Sequence, residues 1–351
     1  MRKRIIQISI GLALSGVFAW LAVRNIQWHE FIKTLQQDKD WWYLLPAIIL
    51  FMASFFVRAW RWHYFLQPVK SIRFHPLFSA TMVGYMGNNI LPVRLGEILR
   101  VYALDRSTGV SKSAGLATVV VERLVDVIGL LAFLIIAIIF TSLPSRFQSV
   151  VTIVSIVSIG LLTLLLGLTF FERRTQNILE RIYNVFPDVL AEKLGTITES
   201  FLEGLSGLRQ TQHYGKIIFQ TLFIWTLFAF SVYFILLAFR FDTLYDMTFV
   251  SGIVVFLIGT AGVLIPSSPG YVGTFHFAIV QALALYGVPN EGALGFAIVN
   301  HLLNYIPVTA LGLVYFFREG LRFEQVSEAA EEVESVEPAD LSADSIDKGS
   351  G

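Results

Sequence analysis

Residues 74–104 read FHPLFSATMVGYMGNNILPVRLGEILRVYAL. The stretch is apolar and long enough to cross a bilayer, but Gly84, Gly87, Asn88, Asn89, Pro92 and Gly96 interrupt it, and it carries Arg94, Glu97 and Arg100. In hydrocarbon a central charge costs roughly 2.5–3.5 kcal/mol on insertion scales, and an unsatisfied backbone group costs several more. Such a segment therefore reads as two half-helices hinged at the Pro/Gly centre and lining a protein-enclosed cavity. If it were one continuous span, every downstream segment would change sides. If it enters and leaves on the same side, the rest of the chain takes a consistent orientation.

Apolar runs long enough for a bilayer of about 30 Å lie at 5–23, 41–57, 115–140, 149–171, 217–239 and 293–317. A second interrupted region, 247–287, contains Gly259, Gly262, Pro266, Pro269, Gly270 and Gly273. The expectation is an all-α polytopic membrane protein with six full spans and two Pro/Gly-broken hairpins, or eight apparent spans if the second hairpin crosses fully. With 74–104 as a returning hairpin, the Lys/Arg-rich segments Arg58–Ser113 and 172–216 fall on the side of Arg2-Lys3-Arg4. By the positive-inside rule that side is cytoplasmic, and so are both termini. The N-terminal apolar run is too long for a signal-peptide core and lacks a clean cleavage site, so it reads as an uncleaved first helix.

Composition agrees: 55% of the 351 residues are hydrophobic, 15% are charged, and mean hydropathy is +0.66. Net charge is zero, but nine of the 26 acidic residues lie from Glu324 onward, leaving 25 basic against 17 acidic residues in 1–323. A single transmembrane domain over 1–323 and a disordered acidic cytoplasmic tail over 324–351 follow. The loop 172–216, with apolar residues at helical spacing, reads as two cytoplasmic amphipathic helices broken at Pro187. The basic body suits anionic headgroups, although cytoplasmic loops alone would produce it. There is no cysteine, which removes thiolate chemistry, disulfides and cysteine metal sites.

An offset of 175 residues lays Gly84 on Gly259, Gly87 on Gly262, Asp126 on His301, and Pro92 near Pro266. The paired segments then run in opposite directions, the sign of an inverted repeat.

Three clusters carry polar chemistry. Arg94, Glu97 and Arg100 share a broad helical face beside Asn88, Asn89 and Pro92; a guanidinium grips a phosphate bidentately, so Arg94 or Arg100 would bind a lipid phosphate with Glu97 orienting one of them. The alternative is an interfacial Arg-Glu-Arg triad. Glu122, Arg123 and Asp126 sit inside 115–140 and would face the bundle interior, paired with one another or with Arg94 and Arg100. These three arginines and three carboxylates form a neutral set, read either as a structural lock or as a site where a buried carboxylate accepts a proton. In the third cluster, Ser267, Ser268, Gly270 and His276 would line a polar cavity at the second break, with His276 either a proton carrier or a hydrogen-bonded structural residue. Asn300, His301, Asn304 and Tyr305 read as helix-to-helix hydrogen-bonding groups. No phosphate loop for nucleotides, nucleophile elbow or His-Glu-x-x-His pair occurs, and no cofactor or metal is expected.

The run Asn89-Ile90-Leu91-Pro92-Val93-Arg94-Leu95-Gly96-Glu97 with Arg100, then Glu122, Arg123 and Asp126, then the break at 266–273, resembles the flippase-like integral membrane family named for the transmembrane region of lysylphosphatidylglycerol synthase. The resemblance covers roughly 5–320. In that family a carboxylate often follows the last Gly-rich break, where this chain has His276. The resemblance implies an inner-membrane protein that handles polar lipids, and residues 324–351 are too short for the soluble transferase domain that makes the aminoacylated lipid in the best-known members. The expected function is flipping or scrambling of an anionic or lipid-linked headgroup. The alternatives are a membrane enzyme with Glu97 or Asp126 as general base, and a non-catalytic partner of a lipid or glycan synthase. Expected partners are membrane lipids with phosphate headgroups, and not nucleic acid.

Overall fold

The computed structural model describes residues 2–91, 95–140, 213–265 and 267–322, with isolated positions at 152, 156, 159, 160 and 163. Most of the expected span at 149–171, most of the loop 172–216, the acidic tail, and the individual residues Pro92, Arg94 and Pro266 lie outside the described residues.

The chain is all-helical among those residues. Its elements are α1 (Arg2–Val23), α2 (Trp28–Gln36), α3 (Leu44–Leu66), α4 (Phe74–Ile90), α5 (Gly96–Thr108), α6 (Lys112–Phe140), α7 (Tyr214–Ala238), the single turn α8 (Phe241–Leu244), α9 (Phe249–Leu264), α10 (Thr274–Ala284) and α11 (Asn290–Arg318). Four of these, α3, α6, α7 and α11, are long and apolar enough to cross a membrane, and α9 and residues 11–23 of α1 are shorter apolar helices. This is a polytopic helical membrane protein.

Both interrupted regions form pairs of short helices, and proline sets where the first of each pair stops. Leu91, before Pro92, is extended at φ −90° and ψ 146°, and Ile265, before Pro266, at φ −67° and ψ 128°. A following proline disfavours the helical conformation at these positions. Gly84, Gly87, Gly259 and Gly262 were expected as hinges, but all four lie inside α4 or α9 and serve close packing instead. A Cβ on Gly84 would lie 2.6 Å from Arg100 Cβ, and one on Gly262 would lie 2.5 Å from Ala278 Cβ, so each glycine lets the two arms of its hairpin touch. At the second turn the backbone needs glycine's freedom: Gly270 and Gly273 have φ of +72° and +95°.

Two four-helix units emerge. Helices α3 and α7 begin 170 residues apart, α4 and α9 175, α5 and α10 178, and α6 and α11 178. Each unit has its own apolar core, one around Trp62, Phe65, Leu99 and Leu104, the other around Ile235, Phe239, Ile279 and Phe296. The units join through matching seams. Phe133, Trp225 and Val254 connect α6, α7 and α9, while Val308, Phe55 and Met82 connect α11, α3 and α4. Helices α3 and α7 are antiparallel, since Arg61 bonds Thr221 near one end and Ser231 bonds the Ala47 carbonyl near the other.

One expectation about α3 is corrected. Its apolar run was expected to stop at 57, with Arg58 and Arg61 in a cytoplasmic segment, but the helix continues to Leu66 and buries both arginines. Aromatic residues carry it onward: Trp62 and Phe65 are buried in the first core. At its other end, Tyr214–Lys216 of the expected loop already belong to α7.

Candidate functional site

The first unit encloses an ionic knot. Arg58 and Arg61 stand three residues apart on one face of α3, Glu122 and Asp126 four apart on α6, and Arg100 on α5. Arg58 Nη1 donates to Glu122 Oε1 at 2.8 Å and to Asp126 Oδ2 at 2.9 Å. Arg61 places Nη2 2.7 Å from Asp126 Oδ1 and donates through Nη1 to Thr221 Oγ1 of α7, also at 2.7 Å. Arg100 Nη1 lies 3.0 Å from Glu122 Oε2. Its guanidinium carbon sits 3.7 Å above the Trp62 ring, whose Nε1 donates to Thr118 Oγ1. That stacking holds the side chain flat and dry. Glu122 lies ten residues into α6, about 15 Å along the axis.

Arg123 is different. Its side chain is 42% exposed and stands at the lip of the knot, 3.0 Å from Glu122 Oε1, 3.4 Å from the Tyr85 hydroxyl and 3.8 Å from Glu97, which is itself 27% exposed. Sequence reasoning made the charged set neutral. The buried part is not, because Arg58, Arg61 and Arg100 face only Glu122 and Asp126, and Arg123 with Glu97 adds nothing net. Among the described residues the cluster carries one excess positive charge. The Nε atoms of all three buried arginines have no hydrogen-bond partner there, so donors remain to spare.

The end of α4 meets the second hairpin turn and α11. Asn89 Nδ2, one residue before the end of α4, donates to Thr309 Oγ1 of α11 at 2.9 Å, and the Tyr305 hydroxyl reaches the Asn89 carbonyl at 3.5 Å. The turn at Pro269–Tyr271 packs against α4, and the Gly270 carbonyl lies 2.7 Å from His301 Nε2. A Cβ on Gly270 would lie 2.9 Å from the Tyr305 ring. The Ser268 amide donates to Ser15 Oγ of α1 at 2.6 Å. The Asn88 Oδ1, Ser267 Oγ and His276 Nδ1 atoms are buried without a hydrogen-bond partner.

The expected residues thus divide. Arg100, Glu122, Arg123 and Asp126 come together in the knot, with Glu97 at its lip. Asn88 and Asn89 end α4, Asn89 beside the second turn, while Ser267, Ser268, Gly270 and His276 form or flank that turn. Arg100, expected to grip a phosphate, is 1% exposed and committed to Glu122 and Trp62. Arg58, Arg61, Tyr85 and Thr221 were missed as site residues. The sequence shows two arginines three residues apart inside the aromatic run Phe55–Leu66, which marks a longer helix but not which way their side chains turn.

The family model described as the lysylphosphatidylglycerol synthase TM region matches residues 8–312, which hold the knot and both hairpins. The chain belongs to that family. It is 24% identical to a UPF0104 membrane protein of Methanothermobacter thermautotrophicus over 79% of this chain and 83% of the relative, and 24% identical to one of Pyrococcus horikoshii over 88% and 95%. Glycosyltransferase AglD of Haloferax volcanii is 22% identical over 85% of this chain, which spans 52% of that protein. No solved structure matches.

Proposed function

We propose that this family member moves the anionic headgroup of a phospholipid or lipid-linked intermediate across the membrane. The observation that carries the reading is Arg123, an accessible guanidinium held at the lip of a buried knot with one excess positive charge. A phosphate arriving there meets a bidentate donor already oriented by Glu122, Tyr85 and Glu97, and gains from the uncompensated charge behind it. Arg58, Arg61 and Arg100 act as positioning residues through Glu122 and Asp126. Arg94 and Pro92 belong to the same hairpin tip in sequence and join the proposed headgroup path with Asn88 and Asn89.

The repeat of helix starts and the antiparallel α3–α7 pair support an inverted repeat, with the first hairpin entering from the cytoplasmic side and the second from the opposite side. The headgroup would pass where the end of α4 meets the second turn while the acyl chains stay in lipid. An apolar groove of about 570 Å³ between α3, α4 and α11, lined by Ile49, Met52, Phe56, Phe78 and Leu311, suits such a chain.

The test is reconstitution into liposomes with labelled phospholipids and polyprenyl-linked sugars, measuring headgroup exchange between leaflets. Faster exchange of anionic species is expected; unchanged exchange across the panel with folded protein refutes the reading. A second reading is favoured by the likeness to a protein named as a glycosyltransferase: this chain would serve a lipid-linked-sugar enzyme as its membrane partner. Co-purification with such an enzyme, without exchange activity in liposomes, would select it.

A further inference from the structure

The second unit repeats the plan of the first without its charges. By the displacement of 178 residues between the starts of α6 and α11, which replaces the uniform offset of 175 that laid Asp126 on His301, Glu122 and Asp126 correspond to Asn300 and Asn304, where Asn304 Nδ2 donates to Asn300 Oδ1 at 2.9 Å. Arg100 corresponds to Ala278 by the same displacement, and Arg58 and Arg61 correspond to Phe228 and Ser231 by 170. In place of fixed charge the second unit has two imidazoles. His276 of α10 and His301 of α11 have ring centroids 4.9 Å apart at 82°. Both are only partly buried. His301 is tied to the hairpin turn through the Gly270 carbonyl, while His276 Nδ1 has no partner.

The surroundings offer little else that titrates. Apart from His276, α10 has no ionisable residue; α11 brings Tyr305, with its ring 5.5 Å from His301, and the turn brings Tyr271. Neither 249–264 of α9 nor 11–23 of α1 contains an ionisable side chain, and α4 presents Asn89. Among the described residues no carboxylate stands on these faces.

We infer that the His276–His301 pair is a proton-dependent anion site, which takes a phosphate headgroup of net negative charge only when it holds a proton. This rests on the translocation reading above and adds its driving ion. The neutral pair offers an anion no charge. One proton from the aqueous phase creates a cation that no neighbouring carboxylate balances, and such a charge is costly in a low-dielectric setting until an anion arrives. Proton and headgroup therefore bind together. A second proton is opposed by the first across about 5 Å, so the pair carries one per headgroup. Arg123 is a permanent cation at one hairpin, and the histidines are a conditional one at the other. When the proton leaves to the more alkaline side, the anion loses its counter-charge and departs.

The experiment measures exchange of labelled phosphatidylglycerol and phosphatidylcholine in proteoliposomes held at pH 7.5 or pH 5.0 on both sides, with protein-free vesicles subtracted. The phosphodiester stays ionised throughout this range, so the lipid's own charge does not change. The expected result is a rise of about tenfold in phosphatidylglycerol exchange at the lower pH, with phosphatidylcholine unaffected. The double variant His276→Gln/His301→Gln removes the response. Equal wild-type phosphatidylglycerol rates at the two pH values, or an acid response retained by the double variant, overturn the inference. The wild-type comparison needs no variant to fold. If phosphatidylglycerol exchanges without a pH response, the translocation reading stands and only the proton site falls. If neither lipid exchanges at either pH with monodisperse protein, both fall.

Discussion

In the unit formed by α3–α6, Arg58, Arg61, Arg100, Glu122 and Asp126 occupy the interior and tie three helices together at 2.7–3.0 Å. In the unit formed by α7 and α9–α11, the corresponding positions hold Phe228, Ser231, Ala278, Asn300 and Asn304, and the interior is held by apolar packing and neutral hydrogen bonds. The same helix arrangement therefore tolerates two kinds of interior. Removing one member of a buried ionic set leaves its partners charged and unpaired, whereas removing a neutral amide leaves one weak group unsatisfied. The first unit is thus the one committed to fixed charge, and its excess positive charge is a property that packing alone does not require.

The largest expected effect is that of Glu122→Gln, which takes the carboxylate from Arg100 and leaves Arg58 and Arg61 with Asp126. It should destabilise the protein by about 3–5 kcal/mol, read from denaturant titration in detergent. A cost under 1 kcal/mol would erase the contrast between the units. Gly84→Leu comes next, because its Cβ meets Arg100 Cβ and the Gly96 carbonyl, atoms held by the knot and the helix; about 1–3 kcal/mol is expected. Gly259→Leu should cost less than Gly84→Leu, since the nearest atom, Ile279 Cδ1 at 2.7 Å, is the far end of a flexible side chain. Thermal melting of the two variants side by side checks the order. Asn304→Leu is the smallest, about 1 kcal/mol for the loss of one neutral hydrogen bond.

How far these differences could be read from sequence depends on the range of the physics involved. Proline acts on its immediate neighbour, so the ends of α4 and α9 before Pro92 and Pro266 were legible. The pairing of Arg100 with Glu122 was legible too, because charge inside apolar runs demands a partner. Arg58 and Arg61 were not, since an arginine near the end of an apolar run has the same local appearance whether it snorkels to a cytoplasmic loop or turns inward. Only the position of α6 against α3 distinguishes the two. Gly84 and Gly259 were misread for a related reason: glycine in an apolar segment serves a hinge or a close helix contact, and the choice depends on what stands opposite. The contact between Asn89 and α11 joins residues 220 apart in the Asn89–Thr309 pair, which no local pattern announces.

The most direct test of the account is leaflet exchange of labelled phosphatidylglycerol by Arg123→Gln beside the unmodified protein. Arg123 is 42% exposed and its ion pairs are partly screened, so the variant should keep its stability within about 1 kcal/mol. Its loss of the bidentate phosphate donor should lower exchange by about tenfold or more. A folded Arg123→Gln protein that exchanges phosphatidylglycerol at the unmodified rate would contradict the claim that the headgroup enters at the lip of the knot.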